Sequence, residues 1–283
     1  MLQVAMLWSA EAIHQLLLQC GRIALKHYAH PDRQIKNDLS IVTQADEEIE
    51  ALIAGVIDHP EKNTYLLGEE TIGSKSEDYL QKAFNGKAWV LDPIDGTAPY
   101  AYHIPLWGIS LGQMENGVLN EGAIYFPVTH EIYVTEGDEI FFAPDSTPDA
   151  PAVLRPLTPS PAVWNDSGLI AVTQGLAKRG KLHFPNPAQA LSCAVLPMAY
   201  LLHGRFLAYV GSLKLWDIGG GVPLLLKGGF DVRLATGEKF DGSVNEMFFI
   251  LEAGHAKRWK TKAPLVFSPS QESFRRLNAA LTW

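Results

Sequence analysis

The sequence predicts a layered α/β fold in which helices cover sheets, and three observations carry that reading. Two amphipathic helical patterns open the chain, a β-rich meander occupies residues 106–143, and strands alternate with helices beyond residue 161. A chain of 283 residues with 47% hydrophobic composition can bury a full core, so disorder is excluded and one large domain or two halves of ordinary size are expected.

Each element has its own warrant. Trp8, Ala12, Ile13, Leu16, Leu17, Cys20, Ile23 and Ala24 follow helical spacing, and the helix they form ends before Pro31. A second helix starts at Thr43, a good N-cap. Asp46 and Glu47 lie in its first turn, where the dipole favours acids, and Ile49, Leu52, Ile53, Val56 and Ile57 form its buried stripe. A helix start is one sufficient reason for an acid at Asp46. Two short apolar runs follow, Tyr65-Leu66-Leu67 before Gly68-Glu69-Glu70 and Trp89-Val90-Leu91 before Asp92 and Asp95. Both read as buried strands that deliver carboxylates to one edge, with Pro93 ending the second ladder.

Asn116-Gly117 is a strong hairpin signal within the meander, and Gly137-Asp138 marks a second turn. Pro151, Pro156, Pro159 and Pro161 fall in a stretch with few core residues, which divides the chain into halves 1–150 and 151–283. In the second half, 169–173 and 206–210 read as strands, and 188–203 and 218–227 as helices. No internal repeat or low-complexity tract appears.

The formal net charge of −8 argues against a nucleic-acid polymer as partner, since such surfaces need basic stripes to displace counterions. A phosphorylated substrate would need something cationic to offset that charge. Cys20 and Cys193 both lie in helix-like apolar patterns and read as small buried hydrophobes in a reducing compartment. The first residues lack a basic n-region, and no stretch reaches the roughly 20 apolar residues that span a bilayer, so no membrane partner and a cytoplasmic location are expected.

The chemistry concentrates in Trp89-Val90-Leu91-Asp92-Pro93-Ile94-Asp95-Gly96-Thr97. Two carboxylates sit at the end of an apolar run, Gly96 supplies backbone freedom, and Thr97 can cap a short helix whose N–H groups would face an anion. Glu69, Glu70 and Asp217 are the acids to set beside them. Carboxylates about 4 Å apart repel by a few kcal/mol per pair at an effective dielectric near 20, so such a cluster needs cations. Oxygen ligands without a His or Cys arrangement select Mg²⁺, Mn²⁺ or Ca²⁺ over Zn²⁺. Gly108-Ile109-Ser110-Leu111-Gly112 matches a nucleophile elbow, but it leads into more strand where the elbow needs a strand-to-helix turn, which disfavours a serine hydrolase. No H-E-x-x-H pair and no P-loop occur.

Gly68-Glu69-Glu70, Asp92-Pro93-Ile94-Asp95-Gly96-Thr97 and Trp216-Asp217 before Gly228-Gly229 together resemble the inositol monophosphatase family of magnesium-dependent, lithium-sensitive phosphatases. Lys36, Val42-Thr43-x-x-Asp46, Tyr125-x-Pro127, Ser192 and Gly204-Arg205 add weaker matches. The resemblance implies a five-layer αβαβα sandwich, a homodimer, and a phosphomonoesterase of a small phosphorylated metabolite using two or three Mg²⁺ ions. Mn²⁺ would be a substitute, and Ca²⁺ or Li⁺ would inhibit. Carried over by position, Glu69, Asp92 and the Ile94 carbonyl bind a first metal, and Asp92, Asp95 and Asp217 a second. Glu69, with Asp46, would help hold a third. Glu69 and Thr97 would orient a water acidified by metal, with Asp95 in the same catalytic set, while N–H groups at Gly96 and Thr97 hold phosphate oxygens.

Departures fall on the alcohol side. The family's inositol enzymes place a glutamate seven residues before the last metal-binding aspartate, where this chain has Val210; a small Gly-x-Ala segment reads Leu191-Ser192-Cys193. Leu191, Cys193 and Val210 are therefore the altered positions around a substrate pocket to which Ser192 and Val210 are assigned, and inositol phosphate, a sugar phosphate, histidinol phosphate and a 3′-phosphoadenosine nucleotide all remain candidates. Ala98-Pro99-Tyr100 follows Thr97, Lys227 stands where the family often has glutamate, and Pro223 falls past the first turn of a helix starting at Ile218, which predicts a shifted or kinked helix behind Asp217. A catalytically weak relative serving as a binding or regulatory module is the alternative.

Overall fold

A computed structural model describes residues 7–36 and 40–282. Helix α1 (Ala10–Tyr28) is capped by the Ser9 side chain, and after the hairpin β1 (Arg33–Ile35) and β2 (Ile41–Thr43) the chain enters α2 (Gln44–Ile57). Thr43 is the N-cap of α2, and Asp46 completes a capping box with it. Strand β3 (Thr64–Gly68), helix α3 (Glu77–Asn85) and strand β4 (Lys87–Asp95) make a parallel crossover. A short helix, α4 (Thr97–Ala101), leads to an antiparallel meander of β5 (Gly108–Glu115), β6 (Val118–Phe126), β7 (Glu131–Glu136), β8 (Glu139–Ala143) and β9 (Arg155–Pro156). These seven strands form one sheet in the order β3-β4-β5-β6-β7-β8-β9. Its tight turns fall where the sequence put them: Asn116 and Gly117 both have positive φ, 51° and 75°, as the primed hairpin turn requires.

The second sheet gathers β10 (Ile170–Thr173), β12 (Ala188–Leu191), β13 (Ala208–Gly211), β14 (Asp231–Leu234) and β15 (Leu265–Ser268) in the order β12-β10-β13-β15-β14. Between them run α5 (Gln174–Arg179), β11 (Lys181–Leu182), α6 (Val195–Leu201), α7 (Leu215–Gly219) and α8 (Gly221–Lys227), followed at the end by α9 (Gln271–Ala279) and β16 (Leu281–Thr282).

Three hydrophobic clusters define five layers. Ile13, Leu17, Ile49 and Ile53 of α1 and α2 pack on Trp89, Leu91, Ile109 and Leu111 of the larger sheet. The opposite face of that sheet presents Val90, Met114 and Ile124 to Met198, Leu201, Val222 and Leu225 of α6 and α8, and the same cluster continues into Tyr209, Val232 and Phe267 of the smaller sheet. Phe274 and Leu277 of α9 cover the outer face of that sheet at Ile170, Val172, Val210 and Val266. The alternation of helix, sheet, helix, sheet and helix is the five-layer sandwich.

The sequence and the structure part at four places in this scaffold. Residues 188–203 form an edge strand and a helix instead of one helix, because Ala188, Gln189 and Ala190 are exposed on β12 and carry no burial pattern to read. Cys193 consequently lies in the turn before α6, whereas Cys20 is in helix α1 as expected. The helix expected at 218–227 is two helices meeting at Gly220, so Pro223 occupies the first turn of α8, where its missing N–H has no intrahelical acceptor to lose. Nor does Pro93 end the ladder: β4 resumes pairing through a bulge, with Asp92 opposite Ser110 and Asp95 opposite Gly108.

The glycines at the α7–α8 junction set its height above the larger sheet. A methyl group at Gly112 would fall on the Gly219 carbonyl, and one at Gly122 on the Gly220 carbonyl. Ser110 fastens the junction, donating from its hydroxyl to the Trp216 carbonyl at 3.2 Å and accepting from the Gly220 N–H at 3.0 Å. It is a fully buried strand residue with both partners engaged, so the serine-nucleophile reading fails on position as well as on local shape.

Candidate metal centre

The bulge between Asp92 and Asp95 lets both aspartates of β4 line one pocket of about 250 Å³. Glu69, Asp92, Ile94, Asp95, Gly96, Thr97, Ser192 and Asp217 line it together, from β3, β4, α4, α6's leading turn and α7. Glu69 follows the end of β3, and parallel pairing of β3 with β4 sets it beside the Leu91 carbonyl, which accepts its N–H at 3.1 Å. Asp217 arrives on α7, where its Oδ2 accepts the Lys214 N–H at 2.7 Å.

Gly96 holds the turn. Its φ of 92° is left-handed, and a β-carbon there would lie 2.9 Å from the Leu106 carbonyl and 3.1 Å from the Cys193 β-carbon. Gly96, and not Thr97, is the N-cap of α4; Thr97 is the first helical residue, and its hydroxyl donates to the Ile94 carbonyl at 3.1 Å. Pro99 sits in the first turn and is accommodated as expected.

Burial and mutual repulsion both disfavour the charged carboxylates of this pocket. Burial, Glu69, Asp95 and Asp217 push the Asp92 carboxyl well above its usual range. Burial lifts Asp95 to about 6 against three donors that favour its charged form: the N–H groups of Val195 at 2.6 Å and Ala194 at 3.0 Å, and the Cys193 thiol at 3.4 Å. Asp217 is raised to about 7 by burial, Asp95 and Glu69. The Lys214 ammonium faces this group, 3.5 Å from a Glu69 oxygen.

The donor set fits a hard divalent cation. Every donor is oxygen, and the Asp92 Oδ1 is buried without a hydrogen-bond partner, a costly state that a cation relieves. Among the described residues no three His, Cys, Asp or Glu side chains close round a single point. Asp95 and Asp217 are instead turned onto protein N–H donors, and the Ile94 carbonyl onto Thr97. Asp46 does not line the pocket. It is buried in the capping box, where Oδ2 accepts from the Thr43 N–H at 2.8 Å and hydroxyl at 2.6 Å, and burial raises it to about 7. Its Oδ1 is buried and unpartnered like that of Asp92.

One expected site position is displaced. Val210 is fully buried on the outer face of β13 against Phe274 and Leu277, and the residue that lines the cavity adjoining the acid-lined pocket is Tyr209, one position earlier. Side chains alternate along a strand, so an offset of one residue exchanges its faces. Ser192, by contrast, is exposed at the mouth and lines both this pocket and an adjoining one of about 260 Å³ with Leu191, Tyr209, Ser212 and Leu213.

Glu50 is a residue that motif reading missed. It lies beside the apolar stripe of α2, where an acid is out of place, and there its carboxylate accepts the Glu70 N–H at 3.0 Å, the Thr71 N–H at 2.9 Å and the Thr71 hydroxyl. A methyl group on Gly68 would overlap that carboxylate, so Gly68 and Glu50 together shape the turn that presents Glu69. Glu70 points away from the pocket and pairs with Lys36 at 2.6 Å.

Residues 8–266 match the model of the Inositol monophosphatase family. The fructose-1,6-bisphosphatase/inositol-1-monophosphatase of Thermotoga maritima is 25% identical over 241 residues, covering 83% of this chain and 88% of that protein. The inositol-1-monophosphatase of Bacillus subtilis is 28% identical over 211 residues, covering 72% and 76%. The histidinol-phosphatase of Chlorobaculum parvum is 32% identical over 124 residues, covering 43% and 45%. Among solved structures, the Thermotoga maritima IMPase superposes with a TM-score of 0.69 at 21% identity, over 95% of this chain and 96% of that one. An IMPase/NADP phosphatase complexed with Mg²⁺ and phosphate gives 0.68 at 18% identity, over 95% and 94%, a likeness of fold.

Proposed function

The chain belongs to the inositol monophosphatase family and is a phosphoric monoester hydrolase, and we propose that its acid-lined pocket carries out that reaction on a small phosphorylated metabolite with magnesium as cofactor. The observation that carries the assignment of the pocket is the convergence of Glu69, Asp92, Asp95 and Asp217 on one cavity where the Asp92 Oδ1 has no protein partner.

Glu69, Asp92, the Ile94 carbonyl, Asp95 and Asp217 would hold two or three ions, with Asp46 as a further carboxylate behind Glu69. When bound, magnesium offsets the charge of carboxylates and phosphate and raises the acidity of the attacking water. Glu69 accepts that water's proton, its position fixed by the Lys214 ammonium and by the Glu50-bound turn behind it. Thr97 directs the water through its hydroxyl. The N–H groups of Thr97 and Ala98 have no partner within α4 and offer donors to phosphate oxygens, while Pro99 offers none. Ser192 and Tyr209 flank the space for the leaving alcohol.

The same reading takes residues 1–150 and 151–283 as two halves with the site at their seam. Mn²⁺ as substitute, inhibition by Li⁺ or Ca²⁺, a homodimer and a cytoplasmic location belong to it as well. No helix among the described residues is long and apolar enough to cross a membrane. Phosphate release from a panel of phosphomonoesters, with and without magnesium, tests the proposal: release that magnesium does not stimulate would overturn it.

A further inference from the structure

Lys214 stands where helix capping does not explain it. It is the N-cap of α7, a position that favours Ser, Thr, Asp or Asn because their oxygens accept from the first turn, and an ammonium has no acceptor to offer. A cation at a helix N-terminus also opposes the dipole. The backbone is nevertheless fixed there. Lys214 bridges to Lys260, the Leu215 N–H donates to the Trp259 carbonyl at 2.9 Å, and the Lys214 N–H donates to Asp217 at 2.7 Å.

From that base the side chain reaches the carboxylates. Its ammonium lies 3.5 Å from a Glu69 oxygen and 5.0 Å from the centre of the Trp216 ring, a buried surface that fixes its line of approach. Its charge also acts on Asp217, where it favours the ionised carboxylate. Lys214 thus links acids from two elements, Glu69 after β3 and Asp217 on α7. The charge balance gives this contact a second consequence. Two divalent ions already match the four carboxylates of Glu69, Asp92, Asp95 and Asp217, so a further positive charge beside Glu69 opposes their entry. The contact that aims Glu69 therefore weakens its hold on a metal.

We propose that Lys214 is a positioning residue that holds Glu69 for proton acceptance at the expense of magnesium affinity. The inference rests on the phosphatase reading of the pocket. In the metal-free protein the ammonium offsets part of the repulsion among the acids, and the same charge repels any cation that Glu69 shares with it. Removing the charge therefore has effects of opposite sign: turnover falls while metal binds more tightly. Replacing a residue that served only the shape of α7 would weaken both, because Asp217 rides on that helix.

The test uses three substitutions: Lys214→Met keeps an aliphatic stem on Trp216, Lys214→Gln keeps a polar end, and Lys214→Arg keeps the charge. Magnesium alone is titrated by calorimetry into each EDTA-stripped protein, the melting temperature is read in EDTA, and kcat and KM for phosphate release are measured at saturating magnesium on the best monoester of a panel. For the two neutral variants the expected result is magnesium binding about three- to tenfold tighter than wild type, with a lower melting temperature in EDTA. Their kcat should fall about tenfold with KM within about twofold. The arginine variant should bind magnesium within about twofold of wild type and recover most of kcat. Unchanged or weaker magnesium binding in both neutral variants overturns the proposal, as does an unchanged kcat or an arginine variant that binds magnesium as tightly as they do. Release from no monoester by wild type counts against the phosphatase reading instead, and the sign of the calorimetric difference then decides the proposal. Wild type that takes up no magnesium overturns both.

Discussion

Asp95 accepts the Val195 N–H at 2.6 Å, fastening the turn after β4 to the start of α6 through one carboxylate. The same side chain takes the Ala194 N–H at 3.0 Å, so a pocket residue is also the cap of a helix in the second half. The two roles separate by substitution. Asp95→Asn keeps an acceptor oxygen and is expected to melt near wild type while losing phosphate release by about two orders of magnitude, as loss of charge at a proposed ligand implies. Asp95→Ala leaves two buried N–H groups unmade and should cost a further 2–4 kcal/mol or so in chemical denaturation. Equal stability of the two variants would show that the carboxylate does not hold α6.

Asp92 is expected to trade stability for function. Its carboxylate is buried, repelled by Glu69, Asp95 and Asp217, and has one oxygen without a partner. In EDTA, Asp92→Asn should therefore be more stable than wild type by roughly 1–2 kcal/mol, the scale of one displaced carboxylate titration. Added magnesium should raise the wild-type melting temperature and leave that of the variant nearly unchanged. A metal-free variant less stable than wild type would count against the repulsion argument.

The close approach of α7 to the larger sheet predicts a steric effect on a distant carboxylate of the pocket. Gly112→Ala would drive a methyl group into the Gly219 carbonyl, with backbone on both sides and no flexible side chain to yield. A loss of about 1–3 kcal/mol or more in urea denaturation is expected, with a fall in magnesium-stimulated turnover because α7 carries Asp217. A variant that denatures like wild type would mean that the junction tolerates displacement.

Tyr209 and Val210 divide along the two faces of β13. Val210→Ala is expected to lower stability by about 1–3 kcal/mol, through a cavity beneath α9, and to leave KM unchanged. Tyr209→Phe should alter KM for substrate with little loss of stability, since its ring remains stacked 5.4 Å from Phe267. A KM change on Val210→Ala with none on Tyr209→Phe would restore the sequence's own assignment.

That reversal shows where sequence reading reached its limit. Asp92, Asp95, Gly96 and Thr97 were legible because acids, a glycine and a proline interrupt an apolar strand, and Glu69 because a second strand ends the same way. The hairpin at Asn116-Gly117 and the cap at Thr43 announce themselves by local chemistry that tertiary context does not alter. Val210 failed because counting along the chain from Asp217 fixes a distance and not a face. Residues 188–203 failed because an exposed edge strand of Ala, Gln and Ala carries no periodicity, and Pro223 because the helix break at Gly220 depends on contact with the sheet. Glu50 and Lys214 are visible only once the fold brings them to the Glu69 turn and to the Glu69 carboxylate.

The most direct measurement is phosphate release from inositol 1-phosphate, histidinol phosphate, fructose 1,6-bisphosphate and adenosine 3′,5′-bisphosphate, with magnesium, with EDTA and with the Asp92→Asn protein. Release from at least one compound is expected, abolished by EDTA and reduced at least a hundredfold by the substitution. Release from none of them, or release indifferent to EDTA and to Asp92→Asn, would contradict the assignment of this pocket as a magnesium-dependent phosphatase centre.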